Sequence, residues 1–96
     1  MSIIYGSLNV ETLSKAQLEV VLEMFNKDAY FVHNEGAVYQ CWLAEHGTRK
    51  RIRTVHKLTG NYLHENGWLE AVEIAGQSSS IYYYVLSERA VNALSR

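Results

Sequence analysis

Residues 14–27 (SKAQLEVVLEMFNK) constrain the fold most, because Leu18, Val21, Leu22 and Phe25 recur at helical spacing and form one apolar stripe. The start of this helix is signalled twice. Ser14 and Gln17 have the spacing of a capping box, and Leu13 and Leu18 that of a hydrophobic staple. Glu19 and Glu23 fall on the more polar side, the pattern of a helix packed on one face. With 96 residues, 48% of them hydrophobic, the chain can build one core. It contains no proline, low-complexity segment or internal repeat, and reads as a single domain over 1–96.

Residues 1–12 read as an N-terminal arm or strand, apolar at Ile3, Ile4, Tyr5, Leu8 and Val10. After Asp28 the pattern changes to a short aromatic and β-branched run, Ala29-Tyr30-Phe31-Val32-His33, which predicts a strand. Residues 37–44 (AVYQCWLA) allow two readings. Either they form a second strand that turns at 45–47 into the segment up to 53, or Asn34 caps a short helix that ends at Gly47. Tyr, Val, Trp and Cys are better strand formers than helix formers, which favours the hairpin. Over 54–66, Val55, Leu58, Tyr62 and Leu63 fit a second helix, with Thr54 as its cap, Gly67 at its end and Gly60 inside it. Residues 68–75 and 80–86 flank Gly76-Gln77-Ser78-Ser79 and read as a β-hairpin. Ser87 caps a last helix over 87–95, with Leu86 and Val91 at staple spacing.

The charge is unevenly spread. Five of the nine cations, Arg49, Lys50, Arg51, Arg53 and Lys57, fall in one nine-residue window, and no acid lies between His46 and His64. In a chain of formal net charge −1, such local polarity can orient the protein on a polyanion. Cys41 is the single cysteine, which excludes an internal disulfide and fits a reducing, cytoplasmic setting. No apolar run approaches the ~18 residues of a membrane span, and the start of the chain lacks the features of a signal peptide.

The pattern Leu63-x-x-x-Gly67-Trp68-Leu69, followed by Tyr84-Val85-Leu86-Ser87, resembles the winged helix-turn-helix family of bacterial and phage DNA-binding domains. The likeness extends from Tyr62 to Leu94 and is looser over the first helix. It implies an α+β winged helix of three main helices, with a C-terminal hairpin wing at 68–86 and an extra hairpin or short helix at 37–53. It also implies a small transcription regulator of prokaryotic or phage type that binds double-stranded DNA as a homodimer through terminal elements. In such a protein Arg49, Lys50, Arg51 and Arg53 would meet phosphates at the start of a recognition helix. Thr54, His56, Lys57, Thr59, Asn61 and His64 would face the major groove, with Gln77, Ser78, Ser79 and Ser80 at the wing tip. Five cations on five phosphates imply a slope of log affinity against log salt of about −4 to −5.

A sequence pI of 6.4 and a wing tip without Lys or Arg suit a different role, a protein-interaction module that docks the basic cluster on an acidic partner. RNA is a third possible polyanion. The four histidines lack metal-ligand spacing, Cys41 and His46 lack an orienting acid, and there is no glycine-rich phosphate loop. The expectation is therefore no catalytic residues, no metal and no cofactor.

Overall fold

A computed structural model describes residues 8–35, 40–76 and 78–95. Helix α1 (Lys15–Lys27) begins as its sequence dictates. The Gln17 amide donates to Ser14 Oγ at 3.2 Å, and the Ser14 amide donates to Gln17 Oε1 at 2.8 Å. Asp28 ends the helix in the left-handed region, at φ 53°, and turns the chain into β1 (Ala29–Asn34). The remaining elements in order are β2 (Gln40–Glu45), β3 (Arg51–Val55), α2 (Lys57–Glu65), β4 (Leu69–Val72), β5 (Ile81–Leu86) and α3 (Glu88–Leu94). Of the N-terminal arm, residues 10–12 form a 3-10 turn rather than a strand, and Leu8 and Val10 pack against the core. Ile3, Ile4 and Tyr5 lie outside the described residues.

The five strands form one antiparallel sheet in the order β3-β2-β1-β5-β4. This overturns the winged-helix expectation. The expected fold has three main helices with a separate hairpin wing, whereas here the strands that precede and interleave with α2 and α3 all join one five-stranded sheet. The 68–86 hairpin is no projecting wing: its second strand pairs with β1 from Phe31↔Tyr84 to Asn34↔Ile81. Residues 40–45 are a strand paired with β1, as in the hairpin reading, while 37–39 of that segment lie outside the described residues.

All three helices contribute to one side of the sheet. Val20, Val21 and Met24 of α1, Leu63 of α2 and Ala90 of α3 are buried with Phe31, Cys41, Leu43, Val55 and Leu69. A second cluster lies on the other side. Tyr30, Val32 and Ala44 are buried there with Trp42, Val72, Ile81, Tyr83 and Val85 against them, and no described helix contributes.

Helix α2 starts two residues later than expected, with His56 as its cap in place of Thr54, because Thr54 and Val55 belong to β3 and Val55 pairs with Cys41. Its end was legible in the sequence. Gly67 takes φ 82°, its amide donates to the His64 carbonyl at 3.3 Å, and the Trp68 amide donates to the Leu63 carbonyl at 3.0 Å. These are the two bonds of a Schellman motif, and buried Leu63 and Trp68 supply its apolar contact. Ser87 ties this corner to α3 by donating its hydroxyl to the Gly67 carbonyl at 2.7 Å while accepting from the Ala90 amide.

Gly60 lets α2 settle on the sheet. A Cβ there would stand 2.5 Å from Cζ of Phe31, a ring only 2% exposed that would have to shift to make room. Gly60→Ala should therefore lower stability by about 1–2 kcal/mol, since overpacking outweighs the ~1 kcal/mol gain in helix propensity. Urea denaturation checks this, and a stabilised variant would show that Phe31 does not fix the distance between helix and sheet.

Candidate functional site: the basic β2–β3 hairpin

The connection between β2 and β3 is built by its own side chains. Thr48 Oγ1 donates to a Glu45 carboxylate oxygen at 2.6 Å and accepts from the Lys50 amide at 3.2 Å. The Arg49 amide donates to the Glu45 carbonyl, and the Glu45 amide to the Lys50 carbonyl, each at 2.8 Å. Arg49 sits in the left-handed region at φ 59°, a non-glycine residue held there by these bonds. All residues from 45 to 50 are exposed, so His46, Arg49 and Lys50 crown one end of the sheet.

A register shift then divides the cations. Leu43 pairs with Arg53, yet Ala44 pairs with Arg51, which leaves Ile52 as an extra residue in β3. In a regular strand residues 51 and 53 would share a face. With the bulge they do not. Arg53 turns to the helical side, where its Nε donates to Glu23 of α1 at 2.6 Å. Arg51 turns to the other side, with its guanidinium carbon 4.2 Å from the centre of a Trp42 ring. Next to it, on the same side, His46 stacks on Tyr30 with ring centres 4.4 Å apart and planes 26° apart. Tyr83 meets Tyr30 edge-on at 5.4 Å. An aromatic row therefore crosses β2, β1 and β5, and its first two rings carry an exposed guanidinium and an exposed imidazole.

A cleft of about 640 Å³ opens at this end of the molecule, lined by Lys27, His46, Lys50 and Arg51 with Asp28 and Glu45. The ion pairs among the described residues are Glu23 with Lys27 and Glu23 with Arg53. Arg49, Lys50 and Arg51 take part in neither.

The other residues expected to face DNA are dispersed. Thr54 is exposed on β3 opposite Trp42. His56 caps α2, its Nδ1 accepting from the Leu58 amide at 3.1 Å. Lys57 is exposed at the first residue of that helix, and Thr59 is half-buried. Asn61 and His64 line a second cleft of about 370 Å³ between α2 and the sheet, together with His33, Glu35, Tyr82 and Tyr84. Burial pushes the Tyr84 hydroxyl above its usual pKa, and the nearby Glu35 charge adds to this. Between β4 and β5, Ser78 and Ser80 hydroxyls lie 3.3 Å apart, Ser79 is exposed, and the Ser80 carbonyl accepts from the Glu35 amide. Gln77 lies outside the described residues.

Cys41 faces the helical side, where burial raises its thiol pKa, while His46 sits on the opposite side, so the two do not meet. Among the described residues no three His, Cys, Asp or Glu side chains converge as metal ligands. Sequence reasoning passed over Trp42 and Tyr30 as supports and His46 and Lys27 as neighbours of the basic cluster. Their only signal was position, since Trp42 and Ala44 alternate with Cys41 and Leu43 along β2. No family model, curated protein or solved structure matches the chain.

The Glu23 carboxyl is held below its usual pKa, mainly by the Arg53 hydrogen bond and against the opposing effect of burial. The ionised form is favoured in the folded state, so the stabilisation is present above the unfolded-state pKa and is lost as pH falls through the lowered folded-state value. Glu23→Gln should cost about 1 kcal/mol or less at neutral pH, because Arg53 is 41% exposed. The difference from wild type should shrink at acid pH. Urea titrations over a pH series read this, and a difference that grows on acidification would contradict the assignment.

Proposed function

We propose that the chain is a DNA-binding protein that holds the phosphate backbone with the β2–β3 hairpin, not with a recognition helix. One observation carries this reading: Arg49, Lys50 and Arg51 stand together, exposed and outside both ion pairs of the described residues. Three cations that are not already neutralised can release counterions from a phosphate chain, whereas Arg53 is committed to Glu23. The nine residues of α2 support the alternative poorly. Their exposed residues are Lys57, Leu58, Asn61, His64 and Glu65, so a single cation stands with a carboxylate and with Leu58, which is 64% exposed. A role in transcription would follow from such binding if it proved sequence-selective.

A surface of three cations gives a slope of log affinity against log salt of about −3, shallower than the whole cluster would give. An Arg49/Lys50/Arg51→Ala variant should lose most of its binding to DNA, and Arg53→Ala should keep it. Salt-titrated fluorescence anisotropy measures both. Loss of binding in Arg53→Ala with the triple variant unaffected would overturn the proposal.

A protein-interaction role has its own support in the helical layer, at a cleft that shares Asp28 with the basic one. Phe25 and Val91, each 38% exposed, line a cleft of about 250 Å³ between α1 and α3, and Leu22 is 39% exposed on α1. A second copy of the chain could cover these side chains in a homodimer. Sedimentation should then give a dimer for the wild type and a monomer for Val91→Glu. A monomeric wild type removes this reading.

A further inference from the structure

We infer that the hairpin selects unpaired nucleotides, with bases stacking on the Arg51 guanidinium and the His46 imidazole. The inference rests on the nucleic-acid reading above and names the form of nucleic acid. A flexible arginine on a surface is a poor stacking surface, because it must be ordered first. Here Trp42 lies beneath the Arg51 guanidinium, and Tyr30 lies beneath His46, itself braced edge-on by Tyr83. The guanidinium carbon lies 4.2 Å from the centre of the Trp42 ring and the imidazole plane 26° from that of Tyr30, so each group is supported by a ring rooted in the sheet, on the side where no described helix contributes.

Guanidinium and imidazole planes are surfaces on which splayed-out bases stack. Arg49 and Lys50 stand next to these planes in sequence and supply charge for the backbone between bases. The cleft beside them, about 640 Å³, has the size of a small-ligand site. In a duplex the base faces are already stacked on one another and are not offered to a protein. Two supported planes beside free cations therefore match a single strand better than a double one.

The test compares an oligothymidylate, an oligouridylate, an abasic oligodeoxynucleotide of equal length, and duplex DNA, with full-length protein at fixed salt. The expected result is tighter binding of the base-bearing single strands than of the abasic strand and the duplex, by about tenfold. The two single-stranded arms report which sugar is preferred, and tight binding of either supports the inference. Arg51→Lys keeps the charge but removes the plane, and should collapse the ratio between oligothymidylate and abasic strand towards one. His46→Ala should reduce it in part, with circular dichroism confirming the fold of both variants. Binding should also quench Trp42 fluorescence, since Trp68, the other tryptophan, is 1% exposed. Equal binding of all four polymers, or an unchanged ratio in Arg51→Lys, overturns the inference alone. Absence of binding to any of them overturns it together with the reading on which it rests.

Discussion

Everything in this molecule depends on the pairing of β1 with β5. Strand β1 is flanked on its other side by β2, so it joins two separate hairpins into one sheet, β3-β2-β1-β5-β4. Phe31 and Val32, successive residues of β1, are 2% and 0% exposed and anchor the two opposite clusters. Burying a Phe or Val side chain is worth about 1.5–3 kcal/mol, so this short segment contributes to both sides of the fold at once. With the helices confined to the Phe31 side, the Val32 side carries the row of aromatic rings. The basic hairpin is then one end of a continuous sheet rather than the approach to a helix.

Within that frame a single extra residue decides how charge is presented. The bulge at Ile52 sends Arg51 and Arg53 to opposite sides, one to an aromatic ring and one to a carboxylate. It also suits β3 to its place at the edge of the sheet, since bulges and charged side chains both discourage edge-to-edge pairing with another chain. In a chain of net charge −1, the described cations at 49–51 thereby stay outside the ion pairs, while Lys27 and Arg53 both meet Glu23.

Much of the local structure was legible in the sequence because its causes are local. The capping box of α1, the Schellman end of α2 at Gly67 and the Ser87 cap of α3 each depend on side chains a few residues apart, and each forms. The β1–β5 pairing joins residues some fifty apart in the chain, and no spacing rule records it, so the 68–86 hairpin was mistaken for a free wing. The start of α2 failed for a related reason. Thr54 has the chemistry of a cap, but pairing of Val55 with Cys41 extends β3 past it and leaves the task to His56. The basic cluster was visible as composition, yet its division was not, because nothing in Arg51-Ile52-Arg53 marks a bulge.

The central claim is that an anionic partner meets the hairpin and the adjacent Trp42–Arg51 and Tyr30–His46 stacks, not α2. Amide chemical-shift mapping by NMR during titration with an oligonucleotide tests it most directly. The account predicts shifts at His46 and over residues 48–52, together with the Trp42 indole N–H, while the amides of α2 (Lys57–Glu65) stay in place. Shifts concentrated in α2, with the hairpin unmoved, would contradict it.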